Sequence, residues 1–142
     1  MTNTTISKSI FLNASCDIVW SFLTDKDKLG DWYHPAEADL SEGSDYSLIG
    51  KNEDGTSSPH VWGRVIEMAA PTKLVTTFNI APFQGVETTV TWQLEEVAGG
   101  TRLSLTHEGI AEASGTSALQ LLTALDDGWD RHLGRLRNGV LE

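Results

Sequence analysis

The sequence predicts an α+β domain in which a long C-terminal helix lies on an antiparallel sheet, and three observations predict it. From about residue 36 to 110, apolar and polar residues alternate at strand spacing, broken by short turns rich in Gly, Asn, Asp and Pro. Two short helical stretches precede that region, between it and a first strand. After it, from roughly 116 to 141, apolar residues recur at helical spacing. Parallel strands would need crossovers of a dozen or more residues, so short turns imply a meander. Helices gathered on one side of such a sheet make an α+β layer pair.

The first strand is read in "TISKSIFLNAS". Ile6, Ile10 and Leu12 share one parity and Ser7, Ser9 and Asn13 the other, while Phe11 leaves the outer face partly apolar. Ser15 is a good N-cap for "CDIVWSFLT", with Asp17 in the first turn, where the helix dipole favours a carboxylate. Asp25 can cap a second, short helix, "KDKLGDWY", which Pro35 ends. The strands "SDYSLIG" and "HVWGRVIEM" flank the turn "KNEDGTSS". "LVTTFNI" follows "AAPTK", and "APFQG" joins it to "VETTVTWQLEEV". "GG" then leads into "TRLSLTHEGI", completing about six to seven strands. Val86, Val90, Trp92 and Leu94 share a parity, as do Leu103, Leu105 and His107. "AEASGTS" is a polar break before the last helix, whose stripe holds Leu122, Leu125, Trp129, Leu133, Leu136 and Val140. Asp126 lies at the edge of the stripe. Arg131 and Arg135 lie opposite it, with Asp127 placed to pair with Arg131.

The 142 residues suit one domain, 1–142, large enough for a real core. With 39% hydrophobic and 21% charged residues the composition is that of a globular protein. No apolar run approaches the roughly 20 residues of a membrane span, and "MTNTTISKSIFLNAS" does not read as a secretory signal. The lone Cys16 cannot form an internal disulfide, which fits a reducing cytoplasm. A formal charge of −10 repels phosphate backbones and anionic lipid, so neither nucleic acid nor membrane is expected as a partner.

Several stretches resemble one family in order and spacing. "IFLNASCDIVWSFLTDKDKLGDWY" resembles the opening of the START-like, or SRPBCC, superfamily and in particular the heat-shock chaperone ATPase activator homologue family, through Val19, Trp20, Trp32 and Tyr33. "WGRVIEMAAPTKLVTTF" and "TTVTWQLEEVAGGTRLSLTHEGI" are similar to the middle of that family and "GWDRHLGRL" to its close. The resemblance implies a helix-grip fold: a curved sheet wrapped around the C-terminal helix, with a cavity between them. The superfamily includes lipid carriers, polyketide cyclases and hormone receptors, so fold alone does not fix function. The chaperone activators carry a further N-terminal domain that contacts the chaperone. This sequence opens at the first strand of the helix-grip domain, which argues against a co-chaperone role.

The candidate site is a ligand cavity lined by Trp32, Phe78, Trp92, His107, Leu122, Asp126 and Trp129, with Phe83 of "APFQG" as an exposed lip. Its expected occupant is a small apolar or aromatic molecule, because pockets are mostly apolar with a few polar groups. Each residue also has a plainer reading. Trp129 can be a core residue packed on the sheet, His107 a satisfied buried histidine, and Asp126 a carboxylate reaching solvent. As cavity residues, His107 would donate to a ligand or shuttle a proton, and His132 flanks the stripe. The rival functions are a cyclase- or dehydratase-like enzyme using His107 or Asp126 as acid or base, and a co-chaperone-like interaction module. His34, His60, His107 and His132 show no metal-ligand spacing, so no metal or other cofactor is expected. Gly128 and Gly134 each cost the helix about 1 kcal/mol against Ala. Gly128 lies off the stripe, so close approach by an adjoining element or by the second subunit of a homodimer is the expected reason.

Overall fold

The computed structural model describes residues 4–141; residues 1–3 and 142, the two ends of the expected domain, lie outside the described residues. The chain runs β1 (Ile6–Leu12), α1 (Cys16–Thr24), α2 (Leu29–Trp32), β2 (Asp45–Lys51), β3 (Ser57–Ala69), β4 (Lys73–Phe78), β5 (Thr88–Val97), β6 (Gly100–Glu108), α3 (Ile110–Ser114) and α4 (Ala118–Gly139). One antiparallel sheet of six strands has the order β1-β6-β5-β4-β3-β2. This is the helix-grip fold: β1 and β2 hold opposite edges, so α1 and α2 must carry the chain from one edge to the other, and α4 then packs along the same side.

Local chemistry sets the helix starts. Ser15 Oγ accepts the Ile18 N–H at 3.3 Å and caps α1. Asp25 Oδ1 accepts the N–H groups of Asp27 (2.9 Å) and Lys28 (3.1 Å). Those bonds close a turn over residues 26–28, so α2 spans only Leu29–Trp32 and not the whole of "KDKLGDWY". Trp32 is locked in place by donating its indole N–H to the Phe22 carbonyl of α1 at 2.8 Å.

Alternation in the sheet follows the sequence parity, with Leu74, Thr76 and Phe78 of β4 buried beside Val90, Trp92 and Leu94 of β5. Val86 departs from it: it precedes β5 and is exposed. Positive φ at Gln84 (53°) and Gly85 (87°) turns the chain there before the ladder resumes. The β3–β4 ladder is interrupted. It pairs Val65 with Thr76, then resumes only as a single bridge between Trp62 and Asn79. In the gap, Thr77 Oγ1 accepts the Arg64 N–H and the Tyr46 hydroxyl donates to the Thr77 carbonyl. Gly63 is required here, because a Cβ would run into that carbonyl.

On α4 the apolar stripe is buried over its C-terminal half, at Trp129, Leu133, Leu136 and Val140. Leu122 and Leu125 are only half-buried, packed against the margin of the core. The expected close approach at Gly128 is not made by this chain: a Cβ built there, or at Gly134, meets nothing within 4 Å. Only a second subunit remains of that expectation. No helix among the described residues is long and apolar enough to cross a membrane.

Because Leu136 is fully buried and Leu119 is 73% exposed, the two leucines of α4 should respond differently to truncation. Leu136→Ala is expected to cost 2–5 kcal/mol in urea unfolding. Leu119→Ala should change stability by less than about 0.5 kcal/mol.

Candidate functional site

The interior is organised by a chain of hydrogen bonds through one buried histidine. Trp129 Nε1 can only donate, and it donates to His107 Nδ1 at 3.1 Å. The imidazole proton therefore sits on Nε2, which lies 2.8 Å from Thr88 Oγ1. The Thr88 hydroxyl hydrogen goes on to the Phe78 carbonyl at 2.7 Å. The series links α4 to β6, β5 and β4, and every donor in it is spent. Burial holds the His107 pKa down at about 4, and a proton on Nδ1 would also oppose the Trp129 N–H.

On the other side of Trp129 lies a cavity of about 40 Å³. Its wall is a cluster of rings. Trp92 stands edge-on to both Trp32 (centroids 5.9 Å apart) and Trp129 (5.6 Å), and Tyr33 stacks on Trp32 at 5.4 Å. Phe78 lies 5.9 Å from Trp129. Leu23, Leu29, Leu40, Leu48, Val61, Leu74 and Val90 complete the apolar lining, with Thr76 and Tyr46 as polar members. Burial pushes the hydroxyls of Tyr33 and Tyr46 far above the ordinary tyrosine pKa, with Tyr46 adding to the shift of Tyr33 and Glu87 to that of Tyr46. Among the described residues, neither the Tyr33 hydroxyl nor the Trp92 indole N–H has a hydrogen-bond partner.

Four of the expected residues thus meet around this space: Trp32, Phe78, Trp92 and Trp129. His107 sits one layer behind, 4.6 Å from the Phe78 ring centroid, and is engaged at both nitrogens. Asp126 is not in the cavity. Lys8 of β1 draws it outward, bridging Asp126 at 2.8 Å and Asp130 at 3.0 Å, and its side chain is 54% exposed. Leu122 is beside it in a shallow surface groove against residues 4–7. Phe83 is no lip: the turn through Gln84 folds it inward, where it is fully buried near Phe78.

Residues not counted in the expected cavity lining complete the surroundings. Tyr33 packs 4.4 Å from the His132 ring and 4.9 Å from His34, and His34 in turn lies 5.7 Å from His60. Burial first, then the Arg135 charge and His34, lowers the His132 pKa to about 4, and its Nδ1 is buried without a partner. Among the described residues no group of three or more His, Cys, Asp or Glu is arranged to hold a metal ion. Tyr46 and Thr76 were legible through their strand parity with Leu48 and Phe78. The gathering of three histidines from separate elements had no local signal.

Comparison with known proteins locates this architecture. The family model described as Activator of Hsp90 ATPase homolog 1-like protein matches residues 13–140. Among solved structures, CalU16 from Micromonospora echinospora is similar, with TM-score 0.76 and 24% identity over 96% of this chain and 75% of that one. MLL2253 from Mesorhizobium loti matches with TM-score 0.79 and 16% identity over 96% of both chains. DynU16, a protein in the dynemicin biosynthetic locus, matches with TM-score 0.75 and 22% identity; this chain covers 47% of it. At these identities the likeness is one of fold. A search of curated proteins gives no match.

His107 makes stability depend on pH. Its folded pKa of about 4 lies below the ordinary 6.5, so between those values the unfolded chain binds the extra proton. The stabilisation is therefore complete above about pH 6.5 and is lost as pH falls toward 4. From pH 7 to 5, urea unfolding should show a loss of about 2 kcal/mol from this residue. His107→Phe should be less stable at pH 7 but lose less over the same interval.

Proposed function

We propose that this chain, which belongs to the Activator of Hsp90 ATPase homolog 1-like family, binds a small ring-shaped molecule bearing an oxygen in the cavity between α4 and the sheet. What carries the reading is the pair of unspent polar groups, the Tyr33 hydroxyl and the Trp92 N–H, in a mainly apolar and aromatic wall. A carbonyl or phenol oxygen would accept from Trp92, and a phenol would also exchange a hydrogen bond with Tyr33. Flat rings match the wall, since edge-on and offset contacts between aromatics add about 0.5–1.5 kcal/mol each. The place of DynU16 in a biosynthetic locus agrees with a small-molecule role.

At about 40 Å³ the cavity has room for about three waters, short of the roughly 150 Å³ that holds benzene in an apolar protein cavity. Ligand binding therefore requires part of the wall to yield. Tyr33 and Leu40 belong to the segment between α2 and β2, the one irregular part of the lining. Scattered bonds and not a continuous ladder hold it, among them Ala36 N–H to the Lys26 carbonyl (3.1 Å), Glu37 to Ser47 (3.2 Å), Leu40 to Thr24 (2.9 Å), Gly43 to Val65 (2.8 Å) and Ile49 to Pro35 (2.8 Å), with the Lys26 N–H on Asp39 Oδ1 (2.9 Å). A segment held by scattered bonds opens at lower cost than the ladders of the sheet behind it.

Binding is favoured over cyclase- or dehydratase-like catalysis because the two groups expected to move protons are otherwise engaged. His107 is bonded at both nitrogens, and Asp126 is paired with Lys8 at the surface. A co-chaperone-like contact would use an outer face and make no demand on Tyr33. Phenol tests the choice by calorimetric titration. Wild type should bind saturably, Tyr33→Phe about 5–10-fold more weakly through loss of one hydrogen bond worth about 1 kcal/mol. Leu48→Phe, which fills the cavity, should not bind while still folding. Equal binding by all three would refute the assignment.

A further inference from the structure

We infer a second ligand site on the opposite, outer face of the sheet, in a groove of about 630 Å³ bordered by β2, β3 and Asn79 just past the end of β4, and that it takes an aromatic carboxamide. Its centre is Asn79. The residue is 6% exposed, yet its Oδ1 is buried without a partner and no described residue bonds either arm of its carboxamide. Leaving such a group unpaired costs about 1–3 kcal/mol, so the site is complementary to something that would pair it. The backbone of Asn79 is fixed by two bonds to Trp62, N–H to carbonyl at 2.8 Å and the reverse at 3.1 Å. A hydrogen-bonded pair of this kind puts both side chains on one face, so the Trp62 indole stands beside the Asn79 amide. The Trp62 N–H likewise has no partner among the described residues.

The interruption of the β3–β4 ladder explains why this amide is left over. Across the gap, Thr77 supplies both the acceptor for Arg64 N–H and the carbonyl for the Tyr46 hydroxyl. The side chains that could have closed on Asn79 are thereby used on the other flank, and Gly63 contributes none. Both Trp62 and Asn79 line the groove, with Asp45, Arg64 and Glu87 at its rim. Its volume is in the range of ordinary small-molecule sites.

The chemistry of the occupant follows from these groups. A carboxamide pairs with a carboxamide, each donating one N–H and accepting at one oxygen. A flat ring attached to it can lie on the indole. At the rim, Arg64 is shared with Asp45 at 4.0 Å, and Glu87 leaves the balance negative, so a neutral amide is accepted and an anion is disfavoured. The groove shares only Tyr46 with the inner cavity, and that hydroxyl is spent on the Thr77 carbonyl, so Trp92 and Trp129 report the inner site and Trp62 and Asn79 the outer one.

Nicotinamide is the probe and nicotinate, which has the same ring but a carboxylate, is its control. In amide-proton NMR of the whole chain, nicotinamide should shift the Asn79 side-chain NH₂ and the Trp62 indole N–H saturably. Nicotinate should bind at least tenfold more weakly. Trp62→Ala, at a half-exposed position, should weaken nicotinamide at least fivefold without loss of the folded spectrum. No saturable shift at Asn79 or Trp62 up to the solubility limit, equal binding of the two probes, or shifts confined to Trp92 and Trp129 would each overturn the proposal.

Discussion

Everything in the interior is referred to the hydrogen-bonded series Trp129–His107–Thr88–Phe78. Four polar groups have been taken out of water, and each is tolerated only because the next accepts or donates in the right sense. The direction is forced from one end, since an indole N–H has no acceptor capacity. That single fact fixes the histidine tautomer, then the hydroxyl rotor, and finally selects a strand carbonyl as terminus. The series also crosses the sheet, so α4 is held to β6, β5 and β4 by directional bonds in addition to burial of Trp129, Leu133 and Leu136. Dispersion and area would allow α4 to slide; these bonds set its register.

Trp129 is consequently a fixed partition. Behind it the polar groups are spent. In front of it are rings from α2, β4, β5 and α4, with Tyr33 and Trp92 retaining hydrogen-bonding capacity. The contrast separates two chemistries that a buried histidine near an aromatic cavity would otherwise leave open. An imidazole engaged at both nitrogens and held neutral is an anchor, and a hydroxyl that is free but far too basic as a phenolate to ionise is a hydrogen-bonding handle. Engaged at both nitrogens or held protonated, neither is placed to accept a proton at neutral pH.

How much of this was legible in the sequence depended on the range of the signal. Strand parity found Phe78, Trp92 and His107, and helical spacing found Trp129, because a period of two or of 3.6 residues reports which face is buried. Edges are where that logic weakens. Asp126 sits at the margin of the α4 stripe, and only the position of Lys8, more than a hundred residues away, decides that it turns outward. Leu122 falls on the stripe, but it lies over the very start of β1 in a shallow surface groove and is only half-buried. Phe83 looked like an exposed loop aromatic, yet the left-handed backbone at Gln84 folds it inward beside Phe78. The meeting of His34, His60 and His132, and the unpaired Asn79, arise from non-local pairing and have no periodic trace.

The central claim is that His107 is a neutral structural anchor, and the proposed binding role of the cavity rests on it. Long-range ¹⁵N–¹H correlation of the histidine rings tests it most directly, since it reports which nitrogen carries the proton. The account predicts that His107 shows the neutral Nε2–H tautomer unchanged from pH 8 down to 5. A ring protonated on Nδ1, or one titrating near the ordinary 6.5, would contradict it and return His107 to the role of an available acid or base.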